Sequence, residues 1–373
     1  MNKLGVYIHI PFCIRKCYYC DFCSFPDRTG NIMGEYVTEL CRRIEGSEQL
    51  YGRVVDTVYF GGGTPTLLPI ELFEKILDSV KRTARLTEDA EISAECNPAT
   101  ADRDYLVGLR GIGVNRLSIG LQSTHKGELE ALGRLHSFED FKDTYIAARE
   151  AGFSNISVDL MYGIPEQTEE SFREGLHTLV ELSPEHISAY GLKVEKGTRF
   201  YSMGERLALP DEETECEMYL SMCEILRKYG YERYEISNFA KKGYMSRHNL
   251  KYWRQDDYLG FGVAAHSCCD GERFGNSRDI EGFLRGENIE CERYVQSERD
   301  RLNEYIMLSM RLSEGMSIAE LESRAGRGLS EVCPQIDALE KAGYLTENDG
   351  RIAFTDKGAL VSNSILSDML EFD

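Results

Sequence analysis

Apolar and polar positions along the chain switch between two periods. An apolar run directly ahead of the cysteine loop that begins at Cys13, and short runs rich in β-branched and aromatic residues at 54–60, 90–96, 114–120, 156–160 and 186–192, read as strands. Between them, stretches at 35–50, 70–82, 102–110, 138–151 and 169–182 place apolar residues three and four apart, the mark of an amphipathic helix. Strand and helix in strict alternation imply right-handed crossovers and a parallel sheet. Roughly 190 residues carry this pattern, fewer than the ~250 typical of an eight-fold barrel. The predicted fold is therefore α/β, a partial (β/α)6 TIM-type barrel open on one side and spanning residues 1–200.

The pattern then changes. A long helix over 210–229 leads into an aromatic-rich segment and on to His248-Asn249-Leu250-Lys251-Tyr252-Trp253. Residues 201–298 are expected to form an α+β segment covering the barrel. In 299–373, helices at 317–324 and 330–342 precede a hairpin over 344–355 turning at Asn348-Asp349-Gly350, a winged-helix-like order.

Composition narrows the functional classes. The 373 residues carry a formal charge of −20, which disfavours a non-specific grip on phosphate backbones or anionic lipid. The winged-helix-like region holds seven Lys and Arg against thirteen Asp and Glu over 301–373, so it too is a poor reader of DNA. Nucleic acid is not an expected partner. No secretion signal and no apolar run of membrane-spanning length stand in the sequence, and a cytoplasmic location is expected.

Of the twelve cysteines, Cys13, Cys17, Cys20 and Cys23 crowd into one loop behind the first strand. Spacers of three and two residues let the first three thiolates face a cuboidal iron-sulfur cluster and leave its fourth iron without a protein ligand. Zinc is the competing reading for such spacers, although no second ligand pair is evident. The ferredoxin spacing does not match. The scattered cysteines read as buried small hydrophobes. Cys13–Cys20, 61–64, Glu95, Gln122 and Asp159 all fall at or just past strand C-termini, the face on which barrel sites are built. The Gly61-Gly62-Gly63-Thr64-Pro65 turn is weak evidence alone, and it is not a phosphate loop, since no Gly-Lys-Ser/Thr follows.

The cysteine loop, with Tyr19 before its last thiol and Gly-Gly-Gly-Thr-Pro after the second strand, resembles the radical S-adenosylmethionine superfamily. There the open iron of a 4Fe-4S cluster is chelated by the amino and carboxylate groups of S-adenosylmethionine, and electron transfer cleaves the sulfonium. The resemblance implies cluster ligation by Cys13, Cys17 and Cys20, and cofactor contacts at Tyr7, Tyr19, Gly62, Gly63, Thr64, Glu95, Gln122, Arg134, Asp159 and Gly191. Acidic groups suit the amine and hydroxyls, and Arg134 suits the carboxylate.

Within the superfamily, Tyr-x-His-x-Pro-Phe-Cys at 7–13, Ser-Ile-Gly-Leu-Gln-Ser at 118–123, Leu-Gly-Arg-Leu-His at 132–136 and Asp-Leu-Met-Tyr-Gly-Ile-Pro at 159–165 resemble the HemN-like group of oxygen-independent coproporphyrinogen III oxidases. Only six residues precede Tyr7, and the loop reads Cys20-Asp21-Phe22-Cys23 where the decarboxylating oxidase has Cys-x-Cys. Both departures count against oxidative decarboxylation of propionate side chains, which stands as the alternative activity. The His248–Trp253 stretch matches the His-Asn-x-x-Tyr-Trp motif of the heme chaperone branch. That resemblance implies heme as a bound group, with His248 as a candidate axial ligand, Tyr252 and Trp253 as stacking partners, and His266, Cys268 and Cys269 as further candidates. The plain alternative is that His248 is a satisfied structural histidine and Trp253 a core anchor. Implied partners are a heme-acceptor protein and a reductant such as flavodoxin or ferredoxin, with a homodimer left open.

Overall fold

A computed structural model describes residues 3–26 and 31–370. Six parallel strands stand in sequence order: β1 (Leu4–Ile10), β2 (Val54–Gly62), β3 (Arg85–Cys96), β4 (Arg116–Gln122), β5 (Ile156–Tyr162) and β6 (His186–Gly191). The crossover helices are α1 (Asn31–Glu45), α2 (Ile70–Thr83), α3 (Arg103–Ile112), α4 (Phe138–Glu150) and α5 (Glu169–Glu181). This is the partial barrel expected from the alternation. Helix α2 shows how the pattern works: Phe73, Ile76, Leu77 and Val80 form one buried stripe against the sheet. Helix starts are fixed locally. Asp102 caps α3, and capping boxes led by Ser137 and Thr168 open α4 and α5.

The strands bury nearly every position because helices cover the outer face and side chains fill the interior. Apolar residues such as Val58, Ala94, Leu117 and Val158 are buried. The alternate positions are polar, among them Thr57, Tyr59, Ser93, Arg116, Ser118, Ser157, Asp159 and His186. Polar side chains thus line the interior up to the C-terminal mouth.

The middle segment is woven into this sheet. Helix α6 (Glu212–Lys228) packs on α5, and β7 (Glu232–Arg233) and β8 (Asn238–Ala240) continue the sheet antiparallel beyond β6. After α7 (Arg247–Trp253) the chain crosses to the opposite edge, where β9 (Tyr258–Phe261) joins β1 in parallel, Gly5 opposite Tyr258. β10 (His266–Cys269), β11 (Glu272–Asn276) and β12 (Glu290–Val295) complete a twelve-stranded sheet.

In the C-terminal region, α8 (Glu298–Ser309) leads into β13 (Met316–Ser317) and α9 (Ile318–Ala325), and β13 forms a three-stranded sheet with β14 (Leu345–Asn348) and β15 (Arg351–Phe354). Asp349 and Gly350 turn the hairpin with φ of 50° and 70°. The single helix expected over 330–342 is two, Leu329–Val332 and α10 (Ile336–Lys341), because Pro334 cannot continue the hydrogen-bond ladder. Asp356 ties this region to the rest through Arg233 Nε at 3.1 Å and through Arg227. Among the described residues no helix is long and apolar enough to cross a membrane.

Candidate active site

At the C-terminal mouth of β1–β6 lies a cavity of about 400 Å³. Its wall brings together Cys13, Cys17, Cys20, Tyr19, Gly62, Gly63, Thr64, Glu95, Gln122, Arg134, Asp159 and Gly191. Residues far apart in sequence meet there because each follows its own parallel strand to the same end.

The three loop thiols are free and half-buried. A turn closes from Cys20 N–H to the Cys17 carbonyl at 3.3 Å, and Tyr18 N–H donates to the Leu132 carbonyl at 3.1 Å. Arg134 Nη1 donates to Cys17 Sγ at 3.4 Å, and Cys13 Sγ lies 3.7 Å from Thr64 Oγ1. Burial pushes the Cys13 thiol up, and burial with the neighbouring Cys17 lifts Cys20 to about 11. Cys13 and Cys20 thus favour the protonated thiol, and a cation held there would displace the protons. Cys23 is buried but does not line the cavity.

The glycine turn is shaped by contact. Gly62 has φ +113°, and a Cβ there would strike the His9 ring; a Cβ on Gly63 would lie 2.5 Å from the Phe12 carbonyl oxygen. Gly63 N–H donates to the Ile10 carbonyl at 2.8 Å and Thr64 N–H to the Phe12 carbonyl at 2.7 Å, so the turn is laced to the start of the cysteine loop. Glu95 accepts from Tyr59 Oη and from Gly62 N–H, both at 3.0 Å. Even so, burial and the charge of Asp159 lift its carboxyl to about 7. Burial likewise raises Asp159, against hydrogen bonds from Ser118 Oγ at 3.0 and 3.2 Å.

Arg134 donates through Nη2 to the Gly120 carbonyl at 2.7 Å and to Asn97 Oδ1 at 2.8 Å. Burial opposes its charge, but Tyr19, Cys17 and Asp159 hold its pKa above the ordinary value. Asn97, which the sequence reading passed over, also donates to Thr64 Oγ1 at 2.7 Å and so joins the β2 and β4 sides of the wall. Its position just past β3 was the available signal. Gln122 sits at a β-bulge with φ 69°, which turns its side chain into the cavity. Tyr59, Arg116, Ser188 and Tyr190 also line the cavity and were missed, because inward-facing polar positions inside a strand carry no local motif; Ser118 and Asn249 line it too, and stand in motifs without an assigned contact.

Tyr7 is not brought to the cavity. Its hydroxyl bonds His9 Nδ1 at 3.0 Å, and His9 Nε2 bonds the Cys23 carbonyl at 2.9 Å, so Tyr7 supports the loop from behind. His248 is likewise behind the wall. It is 1 % exposed, stacks on Tyr59 at 5.3 Å, and has both nitrogens engaged, with Thr57 Oγ1 at 2.9 Å and Tyr252 Oη at 2.7 Å. Burial, with Lys251 and Arg116, lowers its pKa to about 3. The expectation that its imidazole is poised as an iron ligand does not match this placement, in which no ring nitrogen is free. Tyr252 and Trp253 are half-buried beside it, and the motif residue that reaches the cavity is Asn249. His266 is exposed on β10, 3.1 Å from Glu292, while Cys269 is buried beside Arg53 and Asp270. The candidate heme residues therefore do not form one cluster.

Residues 7–179 match the Radical SAM superfamily and residues 296–361 match the HemN C-terminal domain. Among curated proteins, the heme chaperone HemW of Escherichia coli is 37% identical over 98% of both chains. The HemW proteins of Synechocystis and Bacillus subtilis are 37% and 35% identical, each over 95% or more of both chains. The chain belongs to the HemW heme chaperone family. Its fold also matches the solved structure of coproporphyrinogen III oxidase (HemN) from Escherichia coli, with a TM-score of 0.85 over 99% of this chain and 90% of that one at 24% identity. HemW membership accounts for the resemblances at both ends of the chain, and the Radical SAM match brings with it a 4Fe-4S cluster and S-adenosylmethionine. The residues present fit that pair. Three free thiols line the cavity together with a half-buried guanidinium and two half-buried carboxylates.

Proposed function

We propose that this protein binds heme and passes it to an acceptor protein, with a 4Fe-4S cluster on Cys13, Cys17 and Cys20 and S-adenosylmethionine in the adjoining cavity. The supporting observation is HemW similarity along the whole chain, rather than over the barrel alone. When bound, cluster and cofactor supply a site for one-electron chemistry. The chain's own residues do the rest. Arg134 donates to Cys17 and offsets negative charge at the loop, Glu95 and Asp159 offer acceptors to an ammonium or hydroxyls, and the Gly62–Gly63 turn lets backbone approach the ligand. A protein reductant, a cytoplasmic location and a homodimer are consistent with this role.

A cavity of about 400 Å³ suits one ligand of drug size. With the cofactor inside, heme has to bind outside, at the mouth or on the middle segment. Ile14, Phe22 and Leu135 are each more than 60% exposed around the cysteine loop and offer apolar surface for a macrocycle. The test is a paired assay on one anaerobic, cluster-loaded sample. Heme titration should change the visible spectrum, and the bound heme should move to an added heme-accepting apoprotein. A flat titration together with conversion of coproporphyrinogen to protoporphyrinogen would transfer the assignment to the oxidase activity.

A further inference from the structure

We propose that Glu128 is a positioning residue for the cofactor, holding Gln122 and Arg134 in the cavity wall through the short helix Lys126–Ala131 that lies between them. The proposal rests on S-adenosylmethionine occupying the cavity, which Glu128 itself does not line.

Six residues of helix are too few to hold their place by their own hydrogen bonds, so this unit has to be fixed by what it touches. Its last turn sets Arg134, since Leu132 N–H donates to the Glu128 carbonyl at 3.0 Å and Arg134 N–H to the Leu129 carbonyl at 2.9 Å. The same turn carries the cysteine loop: the Leu132 carbonyl accepts from Tyr18 N–H and the Gly133 carbonyl from Arg15 Nη2. At its other end Ser123 leads directly back to Gln122 at the end of β4.

Glu128 pins this unit to its surroundings. One carboxylate oxygen accepts from Ser123 Oγ at 2.6 Å and from Gln167 Nε2 at 3.1 Å, and the other accepts from Ser171 Oγ at 2.6 Å. Gln167 Nε2 also donates to the carbonyl of Met161, a residue of β5 that lines the cavity just past Asp159, and Ser171 stands in the first turn of α5. One side chain therefore joins the strand end that bears Gln122, the turn that bears Arg134 and the segment that follows Asp159.

The carboxylate is 4% exposed, meets three neutral donors and pairs with no cation among the described residues. A buried charge of this kind is costly, and an apolar side chain of similar size would fill the space without that cost. What the carboxylate adds is direction, because it fixes three donors on three segments at once. The free space beside it is about 10 Å³, close to the least that one water needs, so the cluster is not a ligand site of its own.

The experiment is a double-mutant cycle in full-length, cluster-loaded protein, with affinity for S-adenosylmethionine read by anaerobic calorimetry and stability by melting temperature. Glu128→Gln keeps the volume and turns an amide towards the three donors. It should weaken binding about tenfold in the wild-type background and less than about threefold where Gln122→Ala is already present, because the group it positions is then gone. A side chain that only stabilises the fold would cost the same factor in both backgrounds, or would lower the melting temperature and leave affinity alone. A loss of about threefold or more in both backgrounds, or below about threefold in the wild-type background, overturns the proposal. If Glu128→Gln does not fold, Ser123→Ala, which removes the bond nearest Gln122, takes its place in the cycle. Wild-type protein that binds no S-adenosylmethionine refutes the cofactor reading and this proposal with it, whereas wild-type binding with uncoupled variants refutes the proposal alone.

Discussion

Glu95 gives the account a titratable handle. Its carboxyl stands at about 7 against an ordinary 4.5, a difference of roughly 3 kcal/mol in favour of the neutral form. A ligand ammonium pairs with the ionised form, so binding has to draw off the proton. About half of the sites are ionised at pH 7 and about one in eleven at pH 6, so affinity for S-adenosylmethionine should fall roughly fivefold over that interval. The window stays below the ~7.7–8.0 at which an α-amino group itself titrates. Anaerobic calorimetry in two buffers of different ionisation enthalpy reads both the affinity and the proton released, which should approach one per site at pH 6. Glu95→Gln should lose about 10- to 100-fold in affinity, as for a charge-assisted hydrogen bond, and should lose the pH slope. Stability has its own sign. A carboxyl raised in the folded state makes the empty protein less stable as pH rises from 4.5 through about 7, and Glu95→Gln should flatten that part of the profile. A wild-type affinity that is level from pH 7 to 6 with no proton release, or an unchanged slope in the variant, would refute the reasoning.

Three further outcomes follow from the geometry. His248→Ala should lower stability by about 3 kcal/mol in urea titration, since it removes two buried hydrogen bonds and the stack on Tyr59; any heme still bound should keep its Soret position, and a shifted band would instead make His248 an iron ligand. Gly63→Ala should cost about 2–3 kcal/mol and impair cluster loading, because the new Cβ meets Phe12 backbone at 2.5 Å; wild-type iron content and melting temperature would contradict this. Cys20→Ala should abolish the cluster absorbance while Cys23→Ala leaves iron content unchanged, because the Cys23 thiol does not line the cavity; loss of iron in Cys23→Ala would make it a ligand.

The barrel was legible because its signals are periodic: alternating strands and stripes such as Phe73–Val80 need no long-range information. The mouth residues were legible through chemistry concentrated at strand ends. What the sequence hid depends on which neighbours arrive. The extension of the sheet by β9 on one edge is set by pairing across some 250 residues, and by β8 on the other across about 50, which no local pattern encodes. Arg116 and Ser93 look like ordinary strand residues until their register puts them inside. His248 reads as a free imidazole until Thr57 and Tyr252 fill both of its nitrogens. Apolar periodicity runs through 330–342, yet Pro334 breaks the stretch into two short helices.

The central claim is that this chain carries heme and gives it up. Cluster-loaded protein charged with heme, separated from excess and mixed anaerobically with a heme-accepting apoprotein, tests it directly. The account predicts that the heme absorbance leaves this protein and appears on the acceptor, with little transfer from protein lacking Cys13, Cys17 and Cys20. Protein that takes up no heme, or that holds it unchanged in the presence of an acceptor while converting coproporphyrinogen, would contradict it.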